Sequence, residues 1–362
     1  MGFRSVRTYQ FRNLRDGEID LYAPEVFLVG ENGQGKSNFL EALYLLCFGS
    51  SFRTKDEALL TRFGEKEMAL QCEYASDGRA PFDLSLRIAE GQKRISLDGK
   101  AIQDRRDLIA AVPCIIFCHD DISFADGPPE RRRWFFNQIM SLYDPLFIDT
   151  LRVYQKVLRQ RNAVLKAGGS SLLDVYDIQL AEAGTEIVEK RKAAVDEFNA
   201  TFTELYGKVS RLAGDCVIRY IPSWRGQQDR DAAVAALKER REEDVRMGTT
   251  GTGPHRDRFL FFREGRNFSA NASTGQMRLI SLVLRVSQAV FFSKKTGKKP
   301  VLLLDDVLLE IDGRRRVSFL ESLPPYEQAV YTFLPDEPYE HYLRADTSVY
   351  LVSDGALRRV AR

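Results

Sequence analysis

The residues best suited to chemistry form a glycine-rich segment near the N-terminus, GENGQGKS at residues 30–37. Its order matches the G-x-x-x-x-G-K-[S/T] pattern of a phosphate-binding loop, or P-loop. The glycines allow the backbone to curl so that its N–H groups point at phosphate oxygens. Lys36 would reach the β- and γ-phosphates, and the Ser37 hydroxyl would bind Mg²⁺. The segment therefore predicts a site for a nucleoside triphosphate with its magnesium ion.

A second group of candidate residues lies near the other end of the chain. Four aliphatic residues, 301–304, are followed directly by Asp305 and Asp306. A P-loop needs a second strand that presents an acid to the metal, and Asp305 would hold Mg²⁺ through water or through Ser37. Asp306 is the candidate for orienting the attacking water as a general base. The alternative is a structural strand whose end is capped by acids at a turn.

A third candidate is the start of a predicted helix, Ser273-Thr274-Gly275-Gln276. Ser273 can cap the helix, and Gly275 permits close approach of another backbone. A helix N-terminus attracts anions, so this segment is a second possible phosphate cradle. A second cradle makes most sense if it serves the nucleotide of another copy, which predicts a homodimer around ATP. An ordinary helix cap is the alternative.

The elements that must position these residues come from both ends of the chain. A short apolar strand, residues 26–29, precedes the P-loop, and a helical segment free of Gly and Pro follows it. Strand patterns dominate up to about residue 120, helical periodicity dominates from Glu130 to Met247, and α/β character then returns. The predicted fold is therefore an α/β P-loop ATPase head with an inserted, mainly helical arm. The expected parts are residues 1–126 for the N-terminal head segment, 127–248 for the arm and 249–362 for the C-terminal head segment.

Composition excludes several classes of protein. The formal net charge is only +2, so overall charge does not indicate a nucleic-acid binder. No apolar run approaches the ~20 residues of a membrane span, and the N-terminus lacks the apolar core of a secretory signal. We therefore expect a cytoplasmic protein without a membrane segment. Local arginine clusters such as residues 131–133 are more informative, although such clusters are more often solvated faces than DNA sites.

The order of these motifs resembles the SMC-like, ABC-type ATPases, and specifically the RecF family of DNA replication and repair proteins. The resemblance covers nearly the whole chain. The P-loop and the acidic strand are shared by many ATPases, whereas GPPERRRWF at 127–135, QRN at 160–162 and GPHRD at 253–257 are more specific.

The resemblance implies that the protein binds ATP, dimerises around it, binds DNA and hydrolyses ATP slowly. DNA would be bound without sequence preference, as duplex or at single-/double-strand junctions. RecO- and RecR-type mediator proteins would be partners in loading the RecA recombinase at single-strand gaps.

The resemblance also assigns roles to individual residues. Lys36 and Asp306 would be catalytic, Ser37 and Asp305 would bind the metal, and Ser273, Gly275 and Gln276 would act on the ATP of a second molecule. Arg131, Arg132 and Arg133 are candidates for the DNA surface, and they could equally brace the arm. With Asp305, the nucleotide-binding residues would be Gly30, Glu31, Asn32, Gly33, Gln34, Gly35, Lys36, Ser37 and Asn38.

Three segments depart from the family pattern. Leu309 stands where a serine is usual, and QAVYTF at 328–333 replaces a threonine-rich stretch. Residues 117–121, FCHDD, replace the usual Phe-Ser-Pro-Glu-Asp. The difference at Leu309 concerns communication between paired sites, and the difference at 328–333 concerns sensing of the γ-phosphate.

Three functions remain as hypotheses. The first is an ATP-gated DNA-binding clamp whose weak, DNA-stimulated ATPase acts as a switch. The second is an ABC transporter-type ATPase subunit, which would usually carry a tighter LSGGQ-like motif, a histidine after the acidic strand and no arm of this size. The third is another P-loop enzyme such as a kinase, for which no acceptor motif is present.

Overall fold

The structure is a computed structural model that describes residues 2–76, 78, 80–168, 172–210, 214–224, 226, 229–268 and 272–360. The chain divides into two compact units. The first unit contains Met1–His119, Gly297–Arg316 and Leu323–Arg362, and the second contains Asp120–Thr296 and Val317–Ser322. The first unit is thus assembled from both ends of the chain, as the sequence predicted.

The helices and strands follow one another in three stretches of the chain. Up to residue 119 they are β1 (Gly2–Tyr9), β2 (Gly17–Asp20), β3 (Glu25–Val29), α1 (Lys36–Phe48), β4 (Glu67–Ala75), β5 (Phe82–Ala89), β6 (Gln92–Leu97), β7 (Lys100–Ala101), α2 (Arg105–Ala111) and β8 (Cys114–Phe117). The middle stretch contains α3 (Ile122–Ala125), α4 (Pro129–Tyr143), α5 (Pro145–Lys166), α6 (Leu173–Ser210), β9 (Cys216–Ile221), α7 (Arg230–Glu239), α8 (Arg241–Met247), β10 (Arg258–Arg263), β11 (Arg266–Asn267) and α9 (Thr274–Thr296). The last stretch contains β12 (Val301–Leu304), α10 (Gly313–Leu320), β13 (Gln328–Phe333), β14 (Thr347–Ser353) and β15 (Ala356–Arg359).

The central sheet of the first unit places the two ends of the chain side by side. Its strand order is β15-β14-β3-β13-β12-β8, and every neighbouring pair except β14–β15 is parallel. Every residue of β3, β12 and β13 is buried, which explains why apolar residues predominate in these strands. Strand β13 lies between the P-loop strand β3 and the acidic strand β12, although residues 328–333 had not been assigned to a strand from the sequence.

A second, antiparallel sheet completes the first unit, with the order β2-β1-β4-β5-β6-β7. Strands β4 and β5 alternate between buried and more exposed residues, because one face packs inward and the other meets solvent. Helix α1 contacts β4 and β5 of this sheet as well as β8 and β13 of the central sheet. Helix α1 is therefore buried on nearly all sides, which fixes its N-terminus under the P-loop.

The second unit is built around the antiparallel helices α5 and α6 and a three-stranded sheet of order β11-β10-β9. Its core includes the buried side chains of Phe147, Tyr154, Ile187 and Trp224. Helical patterns were expected to dominate residues 130–247, and within that range Cys216–Ile221 forms strand β9. This strand alternates buried and more exposed side chains and is rich in β-branched and aromatic residues, as suits a strand with one buried face.

The boundaries of the units differ from the expected domain boundaries. The first unit ends at His119 and resumes at Gly297, so residues 249–296 belong to the second unit. The reason is packing: β10 pairs with β9, and α9 packs on α3, α4 and α6. Parts of the expected arm, namely 169–171, 211–213, 225, 227 and 228, lie outside the described residues. No described helix is long and apolar enough to cross a membrane.

Candidate nucleotide-binding site

The P-loop connects β3 to α1, and its curvature depends on Gly33 and Gly35, whose φ angles are 79° and 117°. A Cβ at Gly33 would meet no atom within 4 Å, so the space beside the loop is open. Helix α1 begins at Lys36, and the partial positive charge of its N-terminus lies at the loop. Lys36 is buried, and its Nζ donates to the carbonyl oxygens of Gly30 at 2.5 Å and Glu31 at 3.1 Å.

The acidic strand meets the P-loop through Ser37, whose hydroxyl donates to Asp305 Oδ1 at 2.8 Å. Asp305 is the first residue after β12, so its carboxylate stands at the carboxyl edge of the parallel sheet. Burial, and then the neighbouring charge of Asp306, raise the pKa of Asp305 to about 6. The structure thus brings together two half-sites from opposite ends of the sequence.

Asp306 is held in an uncommon backbone conformation. Its φ is 53°, in the left-handed region that non-glycine residues seldom adopt. Its N–H donates to Thr332 Oγ1 at 2.7 Å, and the Thr332 hydroxyl donates to Asp306 Oδ1 at 2.8 Å. Thr332 therefore positions the candidate general base from the neighbouring strand β13. This role of Thr332 was not predicted from the sequence, because a single threonine among mostly apolar residues does not indicate which side chain it contacts.

A polar network fixes the start of α1 beside the loop. Glu41 is fully buried and accepts two bonds from the Arg12 guanidinium, each 2.9 Å, and one from the Ser51 hydroxyl at 2.5 Å. Arg53 donates to Asn38 Oδ1 at 2.6 Å. Arg12 on one side of the P-loop in sequence, and Ser51 and Arg53 on the other, thus contact the helix that follows the loop.

These residues fit a nucleoside triphosphate and its magnesium ion. The open space beside Gly33 suits a phosphate chain, and Lys36 supplies a cation next to it. The Ser37 hydroxyl and the Asp305 carboxylate are hard oxygen ligands of the kind that Mg²⁺ binds. Bound ATP would supply the scissile phosphate, and Mg²⁺ would neutralise its charge.

The third predicted segment opens helix α9 in the second unit. The Ser273 N–H donates to Gln276 Oε1 at 2.8 Å, and the Gln276 N–H donates to Ser273 Oγ at 3.3 Å. This reciprocal pair is a capping box, so the predicted cap at Ser273 is confirmed. Ser273 and Gly275 are exposed, and a Cβ at Gly275 would meet only Ser273 Oγ, at 4.0 Å. The helix N-terminus is therefore accessible to an anion, and its action on the ATP of a second molecule stays a prediction.

The three arginines considered for DNA binding make contacts within the second unit. Arg131 donates to Ser123 and lies over the ring of Trp134, 5.7 Å from its centroid. Arg132 is buried, and its Nη1 donates to the Ala125 carbonyl at 2.7 Å. Arg133 donates to the Asp257 carbonyl at 2.8 Å and to the Glu130 carboxylate at 2.8 Å. These contacts favour the bracing alternative, and a role of the three arginines at a DNA surface stays a prediction.

The family-specific QRN triplet lies inside the second unit. Arg161 is fully buried, and it donates from Nε to Asp177 and from Nη1 to Asp244, each at 2.7 Å. Asn162 accepts the main-chain N–H of Thr250 at 2.9 Å. The triplet therefore ties α5 to α6, α8 and the segment before GPHRD, which is a structural role.

Gly253, Pro254 and Asp257 of the GPHRD segment are buried in the same unit, whereas Arg256 is exposed. Asp257 accepts from Arg191 Nη1 at 2.8 Å and from the Ser223 N–H at 2.8 Å. His255 Nε2 lies 2.9 Å from the Thr250 carbonyl oxygen, so Nε2 carries the proton and Nδ1 accepts from the Tyr154 hydroxyl at 2.7 Å. Burial lowers the pKa of His255 to about 4, so the ring stays neutral at physiological pH.

The lowered pKa of His255 predicts acid sensitivity. Its stabilising contribution is complete above the unfolded pKa of about 6.5 and is lost as the pH falls toward 4. Between pH 7 and 5.5 we expect this residue alone to cost about 1 kcal/mol of unfolding free energy. Urea unfolding at both pH values would measure this loss of unfolding free energy. The loss should be absent in His255→Gln and should persist in the control His341→Gln, which changes an exposed histidine. An unchanged pH dependence in His255→Gln would contradict the prediction.

The fold and the site together define a P-loop ATPase head of the SMC-like, ABC type. The family model described as an AAA domain matches residues 2–167. A RecF protein of Treponema pallidum is 44% identical over 96% of this chain and 98% of its own length, and that of Chloroflexus aggregans is 32% identical over 96% and 97%. The chain belongs to the RecF family of DNA replication and repair proteins.

Solved structures agree with this assignment. The recombination mediator protein RecF with ATP, from the RecFOR pathway, superposes with a TM-score of 0.90 at 27% identity, covering 99% of this chain and 98% of that one. The Smc head domain of Pyrococcus furiosus, bound to part of ScpA, gives a TM-score of 0.56 at 16% identity over 99% and 96% of the two chains, a likeness of fold alone. Membership of the RecF family favours the DNA-binding hypothesis over the transporter and kinase hypotheses.

Proposed function

We propose that the protein is an ATP-controlled DNA-binding switch. It binds ATP and Mg²⁺ at the P-loop, pairs with a second copy around the nucleotide and releases DNA after slow, DNA-stimulated hydrolysis. The observation that carries this proposal is the contact between the two half-sites. Ser37 donates to Asp305, and Lys36 lies beside the open loop. Asp306 would orient the attacking water, held in place by Thr332.

The accessible N-terminus of α9 supports the dimer. Ser273 and Gly275 are exposed, and the side chain of Gln276 completes the cap. Because each copy has one P-loop and one such helix start, two copies can each complete the other's site. ATP then acts as a removable link between the two molecules.

The family supports a role in DNA repair. We propose that the dimer binds duplex DNA and single-/double-strand junctions through phosphate contacts, independently of base sequence. RecO- and RecR-type mediators are the proposed partners in loading recombinase at single-strand gaps, in the cytoplasm. The RecFOR pathway named for a solved relative supports these partners.

Sedimentation velocity with ATP, ADP or no nucleotide, each with and without DNA, tests the proposal. We expect a dimer with ATP and a monomer with ADP or without nucleotide. Association with DNA should weaken as salt is raised. Ser273→Ala should prevent the ATP-dependent dimer. Removing a cap also costs a helix about 1 kcal/mol. Asp229→Ala, which removes the cap that Asp229 provides to the Ala232 N–H in α7, is therefore the matched control.

The outcomes separate the parts of the proposal. If Ser273→Ala dimerised with ATP as readily as Asp229→Ala, the action of α9 on a second molecule would be wrong. If wild-type protein bound ATP and stayed monomeric, the switch would have to work without pairing. DNA affinity unaffected by salt would contradict phosphate recognition.

A further inference from the structure

The hairpin turn between β14 and β15 differs from similar turns of the chain. Asp354 and Gly355 have φ angles of 48° and 72°, and Ser353 pairs with Ala356, which defines a two-residue turn with two left-handed positions. Three other hairpins in the described part of the chain have the same pair of positive φ angles, at Glu90-Gly91, Asp98-Gly99 and Glu264-Gly265.

Gly355 is enclosed where the other turn glycines are open. A Cβ at Gly91, Gly99 or Gly265 would meet no atom within 4 Å. A Cβ at Gly355 would overlap the main-chain carbonyl of Asn13 and lie 3.1 Å from the Cα of Leu14. The Asp354–Gly355 turn is therefore pressed against another part of the first unit.

The turn is held between the P-loop and the segment that follows β1. On one side, the Asp354 N–H donates to Gln34 Oε1 at 2.7 Å and the Gly355 N–H donates to the Gln34 carbonyl at 3.0 Å. On the other side, the Arg15 N–H donates to the Gly355 carbonyl at 2.9 Å. The segment on this second side is itself joined to the P-loop, because Asn13 Nδ2 donates to the Gly33 carbonyl at 3.1 Å.

Gln34 lies in the part of the P-loop whose backbone has the greatest conformational freedom. It lies between Gly33 and Gly35, and glycine on both sides gives the backbone many alternative conformations. The direction of the loop N–H groups depends on which conformation is held. A loop that is already ordered binds its ligand more tightly, because less conformational freedom is lost on binding.

We propose that the Asp354–Gly355 turn is a positioning element of the nucleotide site, which holds Gln34 so that the P-loop is ordered before ATP binds. This inference rests on the proposed binding of ATP at the P-loop. The turn itself need not touch the nucleotide, since it acts through both the side chain and the main chain of Gln34. The last hairpin of the chain therefore contributes to a site formed near its first residues.

Gly355→Ala tests the turn, with Gly99→Ala as the matched control. Both changes place a Cβ on the second residue of an Asp-Gly turn at almost the same φ, 72° and 74°, so both carry the same backbone strain. Only Gly355→Ala adds the overlap with Asn13. We expect it to weaken ATP binding by about tenfold or more, because two hydrogen bonds to Gln34 are disturbed, while Gly99→Ala binds like wild type.

Gln34→Met tests the same contact from the loop, without altering the turn. It keeps the side-chain length and removes the acceptor for the Asp354 N–H, so ATP binding should weaken by about two- to tenfold. Because both variants act on one contact, the double variant should lose less than the product of the two single losses. Melting temperature without nucleotide and ATP affinity well below that temperature separate a stability effect from a positioning effect.

The outcomes are distinguishable. Wild-type affinity in Gly355→Ala, or losses that multiply independently, would overturn the positioning role. If Gly355→Ala did not fold, Gln34→Met alone would decide, with unchanged ATP affinity overturning the proposal. If wild-type protein failed to bind ATP, the proposed function would be wrong rather than this inference.

Discussion

Lys36→Met is expected to abolish ATP binding at micromolar concentrations while leaving the fold intact. The Lys36 ammonium donates to the carbonyls of Gly30 and Glu31, and it is the cation placed beside the open loop. Bonds from a charged donor contribute about 1.5–3 kcal/mol each. Losing two of them to phosphate would weaken binding by about 10²- to 10⁴-fold. Titration with a fluorescent ATP analogue would measure the loss.

The matched control for this change is Lys55→Met, which removes the same charge from an exposed position of the first unit. It should bind ATP like wild type, and both variants should melt as single cooperative transitions without nucleotide. If Lys36→Met bound ATP as tightly as Lys55→Met, residues 30–37 would not be the nucleotide site. Because the dimer is proposed to form around ATP, Lys36→Met should also sediment as a monomer in ATP.

Asp306→Asn is expected to separate binding from hydrolysis. Asparagine tolerates the left-handed backbone at this position and keeps an oxygen that can accept from Thr332. The amide cannot take a proton from water, and loss of a general base slows a reaction by about 10²- to 10⁴-fold. We expect ATP binding close to wild type and a persistent ATP-bound dimer. Single-turnover hydrolysis would give the rate, and sedimentation would give the lifetime of the dimer.

An exposed aspartate provides the control for this second change. Asp336→Asn alters the same functional group in the first unit at a solvent-facing position and should hydrolyse ATP at the wild-type rate. Unchanged turnover in Asp306→Asn would show that another group orients the water. Loss of ATP binding in the same variant would instead indicate that Asp306 contributes to the metal site.

The chemistry of the nucleotide site could be read from local sequence because its ligands are local. A P-loop carries its glycines, lysine and hydroxyl within eight residues, and the flanking strand and helix follow from apolar runs. Asp305 could be predicted for the same reason, since an acidic pair directly after four aliphatic residues marks a strand end. The cap at Ser273 was also a local pattern, with its partner Gln276 three residues away.

The roles of other residues depend on contacts across long stretches of sequence. Thr332 reaches Asp306 because β13 pairs with β12, a pairing with no local signal. Arg131, Arg132 and Arg133 looked like a surface cluster, because a run of like charges reveals nothing about what surrounds each side chain. Packing decided that Arg132 is buried against the Ala125 carbonyl. The domain boundary near residue 248 was misplaced for a similar reason, since the pairing of β10 with β9 extends the second unit.

The sequence by itself determined the expected kind of ligand and the residues proposed to meet it, because glycine spacing, one lysine and an acidic strand end are typical of sites for phosphate and magnesium. Tertiary structure alone decided what holds those residues in place. Ser37 and Asp305 contact each other because the parallel sheet joins the two ends of the chain. Gln34 is held by a turn that lies more than three hundred residues away in sequence. Such distant contacts depend on the packing of whole elements, and no local pattern encodes them.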